Sequence, residues 1–329
     1  MQQVPELSPF ILAYESIAHE QHAEQNEDTV LLDPRHGLAA IFDGMGSRKG
    51  ADALGQLASQ LAARVVHRGW ERLLQQGQPE NSDMLPCDRL DLSAALRQLI
   101  QEANTQIRAE GVRRADAERP SQLRVRYPKT TVALVVFCHH KDEDGYTMVS
   151  AHVGDSRIYL LREHASLVRL TQDDGLLTTL IQSQTISETD ALRIDQASDA
   201  GQLSEAELEY FNKRYGVTQM LGDEQPPVIH VQQTPLLSGD RILLCSDGIH
   251  DNLLDQEIEA LLRNGTSTTV ANLLVESAVQ RSHQDSTTTI RAKPDDMSAL
   301  VVTYHHRERK EHIKSRNDLD DEAPYAARV

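Results

Sequence analysis

The 329-residue sequence predicts an α+β fold, two antiparallel sheets flanked by helices that come in pairs, and three observations carry this. β-rich stretches run together, while helix-periodic stretches are inserted in twos instead of alternating with strands. The middle of the chain reads as a meander of short strands joined by tight polar turns. Two apolar strands far apart, LAAIFDGMG at 38–46 and RILLCSDG at 241–248, both end in Asp-Gly.

The first strands are expected at 10–18, 29–32 and 38–42, which are rich in β-formers and bounded by polar, Gly or Pro residues. A helix follows over about 50–67, with Leu54, Leu57, Leu61 and Val65 on one face. A second, over about 89–108, carries the stripe Leu92, Leu96, Leu99, Ala103 and Ile107. The Pro, Gly, Asn and Asp content of 75–88 reads as a loop, and 111–129 as a longer, locally basic connection. Strands at 130–137, 146–153, 157–161 and 167–170 make the meander, joined at KDEDGY and GDS. Residues 172–222 are polar, helix-compatible and without strand alternation; within them Ser204 and Glu207 form a capping box. Strands return at 227–232 and 241–245, helices at 255–263 and 268–281, and a closing strand at 298–304. The charged segment 305–329 reads as a flexible tail beyond a domain covering 1–304.

Composition narrows the function. A hydrophobic content of 39% with 25% charged residues is that of a globular protein. The net charge of −17 argues against a nucleic-acid-binding surface. No apolar run approaches the roughly 20 residues that span a membrane, and MQQVPELSPF does not resemble a secretory leader, so the cytoplasm is the expected compartment. Three cysteines at wide spacing predict neither a disulfide framework nor a zinc site; Cys138 and Cys245 read as small buried thiols. Six positions beyond the cysteines stand Ser93, Asp144 and Asp251, not arginine, which excludes a Cys-x5-Arg thiol phosphatase.

Asp43, Asp247 and Asp295 each fall at the end of an apolar strand. Carboxylates gathered at such ends repel one another and titrate upward unless a cation neutralises them. A hard divalent ion bound by oxygen, Mg2+ or Mn2+, is the natural occupant.

Seven segments together resemble the PP2C-type (PPM) metal-dependent serine/threonine phosphatases, in their bacterial branch. They are NED at 26–28, DGMG at 43–46, TTVALVVF at 130–137, VGDSRIYLL at 153–161, LTQDD at 170–174, CSDG at 245–248 and DDMS at 295–298. The resemblance implies a β-sandwich of two antiparallel sheets with a metal site at one end, and a flap at about 172–222. It implies that Asp43 bridges two Mn2+ or Mg2+ ions, that the Gly44 carbonyl binds one, and that Asp247 and Asp295 hold the other. Glu27 would act through metal-bound water with Asp28 in support, and Asp155 matches the aspartate of a third, weaker ion. A hydroxide bridging the two ions would attack phosphoserine or phosphothreonine of a protein substrate, with a protein kinase as the opposing partner and neither nucleic acid nor membrane involved.

Four positions depart from the family pattern, one of them Ser47, which replaces the second glycine of DGMGG. Ala23 stands where an arginine usually grips the substrate phosphate, so Arg48 or Lys49, just past DGMG, are the candidate replacements. Asp296 replaces a usual asparagine, and Asp174 a common histidine. Loss of the arginine leaves a second reading open: a pseudophosphatase that binds phosphoproteins with little turnover. A metallophosphoesterase of another fold would want His and Asn inside its motifs, and these are missing.

Overall fold

The computed structural model describes residues 9–20, 23–46, 54–77, 85–88, 90–117, 127–140, 145–285 and 288–305. Strands β1 (Phe10–Ile17), β2 (Asp28–Asp33), β3 (Leu38–Met45), β4 (Lys129–Thr130), β5 (Val132–His139), β6 (Tyr146–Val153), β7 (Arg157–Leu161), β8 (Val168–Arg169), β9 (His230–Pro235), β10 (Arg241–Cys245) and β11 (Met297–Tyr304) form two sheets. One has the order β1-β11-β10-β7-β8, the other β2-β3-β5-β6-β9 with β4 added against β3. The named strand pairs are antiparallel.

The period of two along a strand separates two cores. In β3, Leu38, Ala40 and Phe42 face helices α1 (Leu54–Gly77) and α2 (Leu92–Ala117), packing with Trp70 and Leu96. Ala39 and Ile41 face the other sheet and meet Val135, Leu244 and Leu300. The outer face of the first sheet is covered by α7 (Asp255–Asn264) and α8 (Val270–Ser282) through Ile258, Leu262, Leu274 and Ala278. A sheet buried on both faces explains why β5, β10 and β11 read as nearly unbroken apolar runs.

Between β8 and β9 lie α3 (Leu176–Gln182), α4 (Glu188–Asp195) and α5 (Glu205–Lys213), a flap with its own small core of Ile194, Ala197 and Phe211. As expected, Ser204 caps α5 in a reciprocal box with Glu207.

Several boundaries differ from the sequence reading. α1 continues past the expected end near residue 67 into the first residues of the expected loop, to Gly77, and α2 continues to Ala117 into the expected basic connection. In the latter Glu110 binds Arg113 and Arg114, so the basic residues support helix instead of breaking it. The strand expected at 227–232 starts later, at His230, where register with His152 begins. Cys138 is not a free thiol: it is bonded to Cys87, with Cα atoms 5.0 Å apart. Backbone bonds from Cys87 N to the His139 carbonyl (2.9 Å) and from His139 N to the Leu85 carbonyl lay 85–87 along the end of β5 and bring the sulfurs together. No sequence spacing reveals that contact, and it corrects the expectation that Cys138 is a free buried thiol. Cys245 is free and buried, as expected. Among the described residues no helix is long and apolar enough to cross a membrane. The tail beyond residue 305 lies outside the described residues.

Candidate active site

The site forms at one end of the sandwich, where strand ends from both sheets meet. Asp43 lies opposite Asp28 in the β2–β3 ladder. Its backbone is clamped from β4 and β5. Thr131 N and Thr130 Oγ1 both donate to the Asp43 carbonyl at 2.8 Å, and Asp43 N donates to Thr131 Oγ1 at 3.2 Å. Thr131 Oγ1 in turn meets Ser156 Oγ at 2.7 Å. The two threonines, expected only to open a strand, therefore hold the central aspartate. Gly44 is required for packing as well: a β-carbon there would lie 2.2 Å from the Gly55 carbonyl oxygen. Gly154, at φ +97°, turns the chain so that Asp155 enters the site between β6 and β7.

From the other sheet, β10 ends at Cys245, and Asp247 opens the short helix α6 (Asp247–His250). Ser246 Oγ donates to Asp28 Oδ2 at 2.7 Å and accepts from Ser298 N, tying β2 to β10 and β11. Asp296, in the asparagine position, accepts backbone N–H bonds of 2.7 Å from His19 and from Glu27. It is a brace between β1, β2 and β11. Asp174, in the histidine position, accepts from Gly154 N and Gln219 Nε2 and contacts His230, fastening the Asp155 turn to the flap. Glu27 directs its carboxylate toward Gly46 and Gly55. Arg48 and Lys49 lie outside the described residues.

Sequence reasoning missed four side chains here. Lys293 Nζ contacts Asp247 Oδ2, Asp251 Oδ2 at 2.7 Å and Asp295 Oδ2 at 3.3 Å. Asp251 is four residues beyond Asp247, a spacing that puts both on one side of the α6 turn and could have exposed it. His250, buried in the same turn, donates from Nε2 to the Asp155 carbonyl at 3.1 Å. Asn252 joins Gly248 and Lys293 through their carbonyls at 2.8 Å each.

Electrostatics mark this cluster as built for a cation. Burial pushes the Asp28 carboxyl up to about 8 despite bonds from Ser298 and Ser246. Burial, then the nearby charges of Asp28, Asp247, Asp295 and Asp155, raises Asp43 well above the carboxylate range. Burial and Asp247 raise Asp155 as well, and burial holds Asp247 near 6 even with Lys293 beside it. Burial opposes the Lys293 charge, but Asp247, Asp251 and Asp295 keep it protonated. Burial also lowers His250 to about 3, so it is neutral. Among the described residues no group of three or more His, Cys, Asp or Glu side chains closes tightly enough to hold an ion as it stands. Lys293 draws three of the carboxylates and Ser246 a fourth. The donor set still fits a hard divalent ion, being all oxygen, buried and mutually repelling.

A pH test follows with a definite sign. Folded Asp28 keeps its proton to about pH 8, against 3.8 for the ordinary carboxyl. The folded chain thus binds more protons over that window, and stability falls as pH rises through it. Above pH 6.5 His250 is neutral folded or unfolded, so it no longer contributes an opposing slope. From pH 6.5 to 8 in EDTA, stability should drop by about 1.4 kcal/mol per pH unit from Asp28, read as a falling Tm. Asp28→Asn should flatten the profile, and an unchanged slope in that variant would count against the assignment.

A cavity of about 410 Å³ between flap and sandwich is lined by Asp155, Asp251, Arg214 and Tyr215, among others. It offers room for a ligand beside the carboxylates.

Comparison with known proteins agrees with this architecture. Residues 17–291 match the family model described as protein phosphatase 2C. The chain is 29% identical over 269 residues to the serine/threonine protein phosphatase PstP of Mycobacterium tuberculosis, covering 81% of this chain and 42% of that relative. It is 25% identical over 275 residues to the serine/threonine phosphatase stp of Listeria monocytogenes, covering 83% of this chain and 91% of that one. The crystal structure of the PstP catalytic domain in complex with two manganese ions superposes with a TM-score of 0.61 at 24% identity, over 90% of this chain and 98% of that one. With the match spanning most of the sandwich and every carboxylate of the site except Asp295 and Asp296, the chain belongs to the protein phosphatase 2C family.

Proposed function

We propose that the chain hydrolyses phosphoserine and phosphothreonine in proteins, using Mn2+ or Mg2+ held by Asp43, the Gly44 carbonyl, Asp247 and Asp295, with Asp155 toward a third ion. The observation that carries this reading is the half-buried Asp43 carboxylate, whose neighbours Asp28, Asp155, Asp247 and Asp295 come from remote parts of the chain. When bound, the ions supply the charge that acidifies water at neutral pH and offsets charge on the phosphoryl oxygens.

The chain's own part is positioning. Thr130 and Thr131 fix Asp43 from behind, and Ser246 orients Asp28. The His250 bond to the Asp155 carbonyl and the Asp174 bond to Gly154 N hold the Asp155 turn from both sides. Glu27 is held at its backbone by Asp296, where it can reach water at the rim. Arg48 and Lys49 remain our candidates for gripping the substrate phosphate in place of the arginine that Ala23 replaces. The partners of such an enzyme are a phosphorylated protein and the kinase that opposes it.

The activity of PstP and of stp supports the reading by family. The test is hydrolysis of a phosphothreonine peptide with Mn2+, with Mg2+ and with EDTA. Turnover with metal and none in EDTA is expected. Peptide binding without turnover under all three conditions would instead favour the pseudophosphatase reading that Ala23 opens.

A further inference from the structure

The Lys293 side chain is unusual in standing where the proposed metal ligands converge. Its ammonium has three protons to donate, and Asp247, Asp251 and Asp295 supply three acceptors. The side chain is 17% exposed. Its position is fixed from behind, since Lys293 N donates to Asn252 Oδ1 at 3.0 Å and its carbonyl accepts from Asn252 Nδ2 at 2.8 Å. Asn252 is fully buried and also bonds the Gly248 carbonyl, so one amide ties Lys293 to the turn that carries Asp247 and Asp251. The Tyr215 ring, at the flap's end, lies 4.7 Å from Nζ, and Arg214 stacks on the same ring at 4.1 Å. Arg214 Nη2 also approaches Asp251 at 3.6 Å.

We infer that Lys293 is a built-in counter-ion that occupies the Asp247–Asp295 cation position, so that a divalent ion binds there only by displacing the ammonium. This deepens the metal-centre reading and rests on it. The Lys293 contacts go to Asp247, Asp251 and Asp295, which leaves Asp43 and the Gly44 carbonyl for a first ion. The second ion must break three charge-assisted bonds and brings one more unit of charge than the ammonium it replaces. Two classes of binding result, one strong and one weakened by the competing lysine. Once displaced, the ammonium has Tyr215 and the cavity beside it to move into, which links occupancy of the second position to the flap.

The test is Mn2+ binding, followed by calorimetry and by the paramagnetic resonance of the free aquo ion, at one fixed pH. Wild type is compared with Lys293→Met, Lys293→Gln and Lys293→Arg. Both neutral variants should bind the second Mn2+ at least about tenfold more tightly, while Lys293→Arg keeps the weak class. Equal affinity and stoichiometry in all four proteins would overturn the lysine's role and leave the metal centre standing. No Mn2+ uptake by any of them would overturn both. A neutral variant that folds in Mn2+ but not in EDTA supports the inference, because metal has then replaced the lost counter-ion. Failure of both neutral variants to fold in either condition overturns it.

Discussion

Asp43→Asn is expected to reduce Mn2+-dependent hydrolysis of a phosphothreonine peptide by on the order of 10³-fold in kcat/KM, the scale of several kcal/mol of lost charge stabilisation. The substitution keeps the shape of the side chain and every backbone bond to Thr130 and Thr131. What it removes is the charge at the centre of the group that Asp28, Asp247, Asp295 and Asp155 surround. Loss of activity by misfolding is separable from loss by chemistry. Without metal the aspartate is a half-buried group whose proton is held by desolvation and its acidic neighbours, so the asparagine variant should melt no lower than wild type in EDTA, and above it at pH 8. Mn2+ should raise the Tm of wild type more than that of the variant. Activity within tenfold of wild type would show that Asp43 is not the central ligand.

The second large effect concerns the root of the flap. Arg157 is 1% exposed. It donates from Nη2 to Asp173 at 2.6 Å and to Asp195 at 2.9 Å, and from Nη1 to the Tyr159 hydroxyl at 3.1 Å, which itself donates to Asp255. Asp173 opens the flap and Asp195 closes α4, so a single guanidinium fastens both to β7. Burial disfavours charge on Asp173 and Asp195, but Arg157 holds both below the usual carboxylate range. Arg157→Leu leaves the buried Asp195 and the half-buried Asp173 with the longer Arg169 contacts of 3.4 and 3.7 Å and, for Asp195, a neutral bond from Gln196 Nε2 at 2.9 Å. The expected cost is about 3–5 kcal/mol, or roughly 10 °C in Tm. Adding Asp173→Asn and Asp195→Asn to Arg157→Leu should recover part of the loss, since no unpaired charge then remains. A drop below about 1 kcal/mol in the single variant would mean that the network contributes little.

The sequence made the sandwich readable because binary patterning is local. Alternation in β3, apolar runs in β5, β10 and β11, and the Ser204–Glu207 box can each be judged within one short window. Asp43, Asp247 and Asp295 were legible for a related reason. Each stands at the end of such a run, where a sandwich gathers side chains, whereas Asp155 was expected from the family resemblance alone. Lys293, Arg157 and Arg291 gave no comparable signal. Their roles depend on partners dozens of residues away: Arg291 donates to the carbonyls of Asp195, His250 and Leu253 from a fully buried position. A lone basic residue in a polar stretch reads as solvated surface until the chain is folded. The same limit hid the Cys87–Cys138 bond, which exists because 85–87 runs beside β5. Helix ends were misjudged where Gly, Pro and charge clusters suggested a stop before Gly77 and Ala117, although packing under the sheet and ion pairs within the helix carried each further.

The pairing of β1 with β11 carries a consequence for biogenesis. Phe10 lies beside Tyr304 and Ile17 beside Met297, and β1 has no other neighbour within its sheet. β1 therefore leaves the ribosome long before β11, the strand it pairs with. Asp28 and Asp43 are synthesised early, but Asp295 and the Asp296 brace reach them only when β11 has formed. A polypeptide unfinished at β11 thus cannot bring Asp295 to the proposed site.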